Sequence, residues 1–450
     1  MKATSLHWGA LAQLFACTAP PMTLLYLGQP RLAARLLVGL LAVVMGLNVL
    51  RGKRYDLAVV AVGCLPVVSV LRGIFFYYSG LCILGGALVM WMLHSPDRLR
   101  MLWNDWTWRS LAIFSVLYWW LCILITGDWV TQLRFFELTL SSAAILLLAE
   151  NFASLATALF GMSISTTLMA IALLPYGDRL GLAFIDDIRV GNPILLGVPA
   201  MLMLMLVLAD GGRWLLLEGK LTFRVILGLV MVIWLVLSGS RGSWVAAGCG
   251  ILLVPLASKR DRGVLAALLV VAVVVVTLGL STSRGAAVTN QFQRTIDSDM
   301  SLAKRTSGRS EQWSVLPAVF AESPLWGWGP GTGRDVNYLY TGRHLEWHSL
   351  YLQFVADAGM IGGILLVWFV WALIIRGIKY FRRTKEIIPL LALLTYLILA
   401  QSVQGVDAIS GVFIGLALLG QASASSFRIK GRFRIARREP EPAVATVASA

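Results

Sequence analysis

Long apolar runs follow one another along most of the chain and are separated by short polar turns. A bilayer core about 30 Å thick is spanned by roughly 20 apolar residues in a helix, and a helix satisfies its backbone hydrogen bonds within one segment. The pattern therefore predicts an all-α, polytopic integral membrane helical bundle with about 12 to 14 transmembrane helices. The predicted spans are 8–27, 32–50, 57–71, 74–93, 107–126, 133–149, 152–173, 193–210, 223–237, 243–257, 264–280, 349–375, 387–401 and 407–421.

One long polar segment, residues 281–348, interrupts this pattern. It lies between the apolar runs 264–280 and 349–375 and mixes basic, acidic and aromatic side chains. In a chain that is otherwise mostly apolar, we expect the chemistry to take place in this segment. We predict a transmembrane domain over residues 1–427 that includes this segment as one large loop, followed by a basic, partly disordered cytoplasmic tail at 428–450.

The composition agrees with a membrane protein. The chain is 58% hydrophobic and 14% charged, and its mean hydropathy is +0.78. The net charge of +15 does not call for nucleic acid as a partner, because much of the Lys and Arg lies in short loops and in the tail, where it sets topology. The cysteines all lie in apolar segments without metal or disulfide spacing, and we interpret them as small hydrophobic residues.

The basic loops also predict which side of the membrane each segment occupies. Loops around 51–54, 259–262 and 376–385 are rich in Lys and Arg and are predicted to be cytoplasmic, together with the tail. Counting spans between these loops places three segments on the external side, namely 175–192, 238–242 and 281–348. Each external segment carries an Arg against the usual charge bias, which indicates a functional role.

The turn Ser238–Trp244 (SGSRGSW) carries the first of these arginines, Arg241, close to the apolar spans on both sides. A guanidinium at membrane depth is costly unless it faces a polar partner, and its planar set of donors suits phosphate oxygens. The alternative is an interfacial Arg that reaches lipid headgroups. Arg189 lies just before another span, three residues before Asn192, and its alternative role is an ion pair with Asp186 or Asp187.

Two further motifs lie in the polar segment. Arg309–Trp313 (RSEQW) is followed by the Gly- and Pro-rich run 324–331 (PLWGWGPG). That run is not a phosphate-binding P-loop, because no Gly-Lys-Ser/Thr follows it, and it predicts a rigid turn rimmed by indoles.

His344 and His348 are four residues apart, but the Glu between them is misplaced for a zinc-protease motif, so no metal site is predicted.

His348 is a candidate by itself, because it lies at the predicted boundary between the loop and a span. A neutral imidazole there can accept a proton from a hydroxyl group at physiological pH. The alternative is a hydrogen-bonded interfacial histidine. Asp357, nine residues further on, is too distant in sequence to be assumed its partner.

Together these motifs resemble the O-antigen ligase/polymerase superfamily of bacterial polytopic enzymes that act on polyprenyl-linked glycans. The resemblance is carried, in the family's order, by SGSRGSW, R-x-x-x-W (Arg309, Trp313), P-L-x-G-x-G-P-G and the run 348–362, HSLYLQFVADAGMIG. It covers roughly residues 175–375. The family usually has His-Asn where this chain has His348-Ser349. Any role of that Asn amide is therefore taken by the Ser349 hydroxyl or is absent.

The resemblance implies a fold of the membrane-embedded glycosyltransferase type. It also implies transfer of a glycan from undecaprenyl diphosphate to an acceptor outside the cytoplasmic membrane, without a metal or another cofactor. In this interpretation Arg241 and Arg189 bind the diphosphate, Arg309 or Arg305 assists, and His348 is the general base. The expected rim for substrate and acceptor consists of Trp313, Trp347, Tyr351 and Asn192.

Three functions fit this interpretation. A ligase attaches the glycan polymer to lipid A–core, a polymerase extends the lipid-linked polymer, and a flippase moves the same lipid without chemistry. A transporter predicts broken helices in paired halves, and the sequence has no such symmetry. The sequence favours the ligase, with the lipid-linked donor, the lipid A–core or glycan acceptor and membrane lipids as partners.

Overall fold

The structure is a computed structural model of the full chain. The residues it describes are 5–71, 79–94, 96–125, 133–176, 183–185, 188–190, 192–257, 259–280, 282–297, 299, 301, 305–306, 308–344, 347–402 and 407–422. The predicted basic tail at 428–450 lies outside the described residues.

Each of the predicted spans contains a helix, and the predicted all-α membrane fold is confirmed. The helices are α1 (Trp8–Tyr26), α2 (Pro30–Leu50), α3 (Arg54–Gly63), α4 (Leu65–Leu71), α5 (Ser79–His94), α6 (Pro96–Asn104), α7 (Trp106–Ile125), α8 (Arg134–Leu148), α9 (Phe152–Leu173), α10 (Pro193–Leu208), α11 (Leu221–Leu237), α12 (Arg241–Ala257), α13 (Lys259–Leu280), α14 (Ser283–Ile296), α15 (Arg309–Glu322), α16 (Gly333–Thr341), α17 (Leu350–Thr384), α18 (Ile388–Ala400) and α19 (Ala408–Ala422). One short antiparallel ribbon adds to them and pairs β1 (Ala183–Ile185) with β2 (Ile188–Val190).

By length and composition, three helices in the described part of the chain are apolar enough to cross a membrane alone: α2, α9 and α17. A fourth candidate is the pair α3 and α4, which meet at a bend of 49°. Shorter apolar helices, such as α10, α11, α12, α18 and α19, accompany them. The described helices therefore fit a multi-pass bundle, whose exact number of crossings stays a prediction.

Helix α10 passes through the middle of the bundle. Every residue from Leu195 to Leu208 is buried, as expected for a helix that is apolar on all sides. At its start, Gly197 lies so close to the turn of the SGSRGSW motif that a Cβ there would come within 2.9 Å of the Ser238 hydroxyl. At its other end it leads directly into Asp210. Helix α10 thus connects the two ends of the bundle.

We name these two ends by their charged groups. The arginine end carries the turn Ser238–Gly242 and His348, and the ion-pair end carries Asp210 and the buried pair Arg224–Asp261. The turn and residues 259–262 flank opposite ends of α12, and the expectation that they lie on opposite sides of the membrane stays a prediction. Which compartment each end faces stays a prediction.

The polar segment folds into a small helical unit on the arginine end. Helices α15 and α16 enclose an apolar cluster of Val319, Val336 and Trp347, to which Ala356 of α17 also belongs. The sequence predicted a loop here without its internal helices. The unit is therefore a folded cap that shares its core with the first part of α17.

The Gly- and Pro-rich run 324–331 docks against a break in α17. At Gly359 the backbone leaves helical geometry, with φ 58° and ψ −152°. The Trp328 amide donates to the Ala356 carbonyl at 2.8 Å, and the Met360 amide donates to the Pro324 carbonyl at 2.8 Å. Gly327 also has a positive φ of 70°, and a Cβ there would come within 2.5 Å of the α17 backbone. Only glycine satisfies both requirements at this contact.

Candidate active site

The turn of the SGSRGSW motif reverses the chain between α11 and α12 within a few residues. Gly239 supplies a left-handed backbone conformation, with φ 66°. The Ser238 hydroxyl accepts from the Ser240 amide at 3.2 Å, and the Ser240 and Ser243 hydroxyls lie 2.9 Å apart. These buried hydroxyls form hydrogen bonds within the tight turn, and Arg241 follows as the first residue of α12.

Arg241 reaches from this turn to the cap. Its side chain is half-buried, and its Nη1 donates to the main-chain carbonyl of Arg305 at 2.6 Å. Arg309 begins α15 directly after Gly308, whose φ is 81°. Burial lowers the pKa of Arg309 below its ordinary value, and the nearby charge of Arg241 lowers it further. The two guanidinium groups are therefore close enough to repel each other.

This arrangement favours an anion. Two partly buried cations that repel each other are stabilised when a negative group lies between them, and a guanidinium can bind phosphate oxygens through two donors. Arg241 and Arg309 also begin α12 and α15, so the positive ends of two helix dipoles add to the field at these residues. The Nε of Arg305 is buried and has no hydrogen-bond partner within the described part of the chain.

His348 is held at the junction between the cap and α17. Its side chain is half-buried, and its backbone has φ 50°, which is rare outside glycine. The preceding residue, Trp347, is completely buried, and its carbonyl accepts from the indole Nε1 of Trp313 at 3.2 Å. Trp313 lies one helical turn after Arg309 on α15. One helix therefore connects the arginine pair with the segment that carries His348.

The residues predicted for the substrate rim differ in their exposure and in their hydrogen-bond partners. Trp313 is 38% exposed, whereas Trp347 is buried in the core of the cap and cannot line a rim in this conformation. The Tyr351 hydroxyl donates to the Leu397 carbonyl at 2.7 Å, so it faces α18. Asn192 caps α10, because its Oδ1 accepts from the Ile194 amide at 3.0 Å. Only Trp313 presents an exposed side chain of the predicted type.

Three other residues singled out in the sequence lie outside the arginine pair and the rim. Arg189 lies on β2, where its Cα pairs with that of Phe184. Ser349, which replaces the usual Asn, is buried at the N-cap of α17 and makes no side-chain capping bond. His344 stacks on Tyr338, with the ring centroids 4.0 Å apart, and lies on the surface of the cap. Among the described residues, no group of three or more His, Cys, Asp or Glu side chains is arranged to hold a metal ion.

Sequence reasoning missed a buried network beneath His348. The Asp357 carboxylate accepts a hydrogen bond from the Tyr118 hydroxyl of α7 and, at 2.7 and 2.8 Å, from the Gln353 amide. An acidic residue within an apolar helix was a usable signal for Asp357. Nothing in the sequence points to Tyr118 as its partner, because the two residues are far apart along the chain.

An apolar cavity of about 210 Å³ lies next to the same part of α17. Residues from both sides of the break at Gly359 line it, for example Tyr351 and Leu366, together with residues of α7, α8, α18 and α19. Its lining is almost entirely hydrocarbon and aromatic. The apolar cavity thus runs along α17 from Leu350, two residues after His348, to Leu373.

The comparison with protein families bears on this arrangement. Residues 226–367 match the model of the family described as O-antigen ligase. The match includes Arg241, Arg309 and His348 and ends within α17. It confirms the resemblance to the O-antigen ligase/polymerase superfamily, whose members are membrane enzymes that process glycans. A search of curated proteins finds no match to the chain.

Proposed function

We propose that the protein is an O-antigen ligase. It transfers a polysaccharide from undecaprenyl diphosphate to lipid A–core in the periplasmic leaflet of the inner membrane, without a metal. The observation that carries the proposal is that Arg241, at the start of α12, binds the carbonyl of Arg305, four residues before Arg309 at the start of α15, and that α15 is joined through Trp313 to the segment of His348. The family match supports the class of reaction.

The arginines bind the leaving group in this mechanism. When the bond between the sugar anomeric carbon and the diphosphate oxygen breaks, the electron pair stays on the diphosphate, which gains negative charge. Preorganised cations that already face this position stabilise the transition state more than the ground state. Arg241 and Arg309 fill this role, with Arg305 beside them. Arg189 is a further proposed contact from the β1–β2 ribbon.

His348 removes the proton from the acceptor. The acceptor hydroxyl oxygen forms the new bond to the anomeric carbon, and its proton passes to the neutral imidazole. The unusual backbone at His348 and the buried Trp347 before it fix where the imidazole lies. Trp313, which remains partly exposed, offers an aromatic face to a sugar ring.

The apolar cavity suits the lipid part of the donor. A polyprenyl chain is a flexible hydrocarbon, and the cavity is lined by side chains such as Phe114, Phe354 and Leu366. Burial of apolar surface favours this contact by roughly 25 cal/mol per Å². The diphosphate would then lie at the arginine end, where the chain leaves the membrane.

The orientation belongs to the proposal as well. In a cysteine-free background, Ser314→Cys in the exposed part of α15 should react in intact cells with a membrane-impermeant thiol reagent. Lys220→Cys at the ion-pair end should react only after lysis. The reverse pattern would place the arginine end in the cytoplasm and exclude the periplasmic mechanism.

Deletion of the gene tests the reaction itself. A ligase defect should leave long glycan chains attached to the polyprenyl lipid, with lipid A–core unmodified, and the wild-type gene should restore the modified form. Accumulation of single lipid-linked repeat units would instead identify a polymerase. Long chains on lipid A–core in the deletion strain would contradict both activities.

A further inference from the structure

The buried carboxylate of Asp357 has no role in the proposed mechanism, although it lies within the segment that carries His348. It is 1% exposed. A carboxylate surrounded by apolar side chains is costly unless hydrogen bonds satisfy its oxygens. Here the Tyr118 hydroxyl donates to Oδ2, and the Gln353 Nε2 lies 2.8 Å from Oδ2 and 2.7 Å from Oδ1. Both oxygens of this buried carboxylate therefore accept hydrogen bonds from side chains.

The main chain of Asp357 is fixed at the same time. Its carbonyl accepts from the Gly329 amide at 2.9 Å, and the neighbouring Ala356 carbonyl accepts from the Trp328 amide at 2.8 Å. Asp357 thus connects the cap, through the run 324–331, with α7, through Tyr118. Tyr118 belongs to the N-terminal half of the chain, outside the residues matched by the family model.

Gln353 extends the network toward His348. Its amide packs against Gly333, where a Cβ would lie 2.7 Å from the Gln353 Nε2 and 3.1 Å from the Trp347 Cδ1. Gly333 therefore leaves room for the Gln353 amide and the Trp347 indole side by side. Trp347 directly precedes His348, whose positive φ persists only where the surroundings hold it.

We propose that Asp357 and Tyr118 are positioning residues for His348 and act through Gln353 and Trp347. Resting on the proposed function, this inference gives the N-terminal half a part in catalysis: Tyr118 of α7, which does not line the apolar cavity, sets the geometry of the base without touching substrate. An aromatic contact also fixes the position of α7 relative to α17, because Phe114 of α7 stacks on Phe354 of α17 with ring centroids 5.7 Å apart. A small displacement of a catalytic group is enough to slow a reaction strongly.

The kinetic test uses the full-length protein with Tyr118→Phe and Asp357→Asn. Both variants should lower kcat by roughly tenfold to a hundredfold and leave the KM for the lipid-linked donor unchanged. Tyr380→Phe is the matched control, since it removes a buried hydrogen bond from a tyrosine to a carboxylate, Glu386, at the ion-pair end. If Tyr380→Phe lowers kcat per folded molecule as much, the network is only structural.

A second measurement does not depend on activity. Diethyl pyrocarbonate acylates neutral imidazoles, and the rate at each histidine can be followed by peptide mass spectrometry. His348 should react severalfold faster in Tyr118→Phe and Asp357→Asn than in the wild type or in Tyr380→Phe, because its restraint is lost, while the exposed His344 reacts equally in all four proteins. An unchanged rate at His348 would overturn the positioning role. A wild type that transfers no glycan would contradict the proposed function and leave this readout valid.

Discussion

The charged side chains at the two ends of the bundle have different partners. At the ion-pair end, Arg224 donates to Asp261 at 2.8 Å and to the Val207 and Leu208 carbonyls at 3.0 and 3.1 Å. Glu386 binds Arg213 there and accepts from Tyr380 at 2.7 Å. At the arginine end, Arg241 binds a main-chain carbonyl and lies within electrostatic range of a second cation, Arg309.

In the proposed function, this difference separates arginines that stabilise the fold from arginines that bind the donor. A buried cation next to an anion is satisfied by the fold, and its role ends with holding helices together. In the proposed function, neighbouring cations at two helix N-termini, Arg241 and Arg309, are stabilised further when the anionic diphosphate binds. Residue type alone does not reveal this distinction, because both ends use the same side chain.

The largest expected effect is at His348. His348→Ala should lower the rate of transfer by roughly 10²- to 10⁴-fold, the usual contribution of a positioned general base. His344→Ala, four residues earlier and exposed on the cap, is the control and should keep wild-type activity. Transfer assays with and without EDTA measure both variants. Loss of activity in both variants, together with inhibition by EDTA, would restore the metal alternative.

Arg241 and Arg224 test the comparison directly. Arg241→Ala should lower transfer about 30- to 1,000-fold, because it removes about 2–4 kcal/mol of transition-state stabilisation. Arg241→Lys should recover only part of it, since Lys lacks the planar fork of donors. Arg224→Ala leaves the buried Asp261 without its cation, although the Gly211 amide still donates to it, so the variant should destabilise the fold by about 3–5 kcal/mol and keep the activity of each folded molecule.

Thermal unfolding and transfer rates, normalised to folded protein, separate the two arginines. If Arg224→Ala lost turnover while Arg241→Ala lost only stability, the assignment of the two ends would be reversed.

The contact between the cap and α17 should be sensitive to a single methyl group. Gly359→Ala adds a Cβ at a positive φ and within 2.6 Å of the Leu325 carbonyl carbon. We expect a loss of about 1–3 kcal/mol in unfolding free energy, with a matching loss of activity as the cap detaches. Gly363→Ala, four residues later, meets only an ordinary contact at 3.7 Å and should be neutral. Equal stability of the two variants would contradict the docked arrangement.

The smallest effect is a pH dependence at the ion-pair end. Burial raises the pKa of Asp210 to about 6, although amides of Ile387 and Ile388 and the Trp214 indole donate to it. The folded state therefore binds this proton more tightly than the unfolded state. The stabilisation is lost as the pH rises from about 4 through about 6. Unfolding curves should show this trend in the wild type and less of it in Asp210→Asn. Identical trends would remove Asp210 as the source.

The hydrophobic pattern predicted the helices well because lipid permits few alternatives for an apolar run. It also made Arg241 and His348 candidates, since charged and ionisable groups are costly beside apolar spans, whereas Arg309 became a candidate through the R-x-x-x-W motif; the roles of all three stay predictions. The pattern could not reveal that Trp347 is buried or that Asn192 is a helix cap. The burial of Trp347 depends on contacts between segments, namely the packing of the cap against α17, whereas the cap at Asn192 is a local bond to the Ile194 amide. The partnership of Tyr118 with Asp357 is equally invisible, because it joins the two halves of the chain.

Equilibrium binding of undecaprenyl diphosphate to the purified full-length protein tests the central claim most directly. Arg241→Ala and Arg309→Ala should each weaken binding by roughly tenfold to a hundredfold, because each removes a charge-assisted contact with the diphosphate. His348→Ala should bind like the wild type, since the imidazole acts on the acceptor, and chelation of metal ions should change nothing. If Arg241→Ala and Arg309→Ala bind the diphosphate as tightly as the wild type, the arginine end is not the donor site.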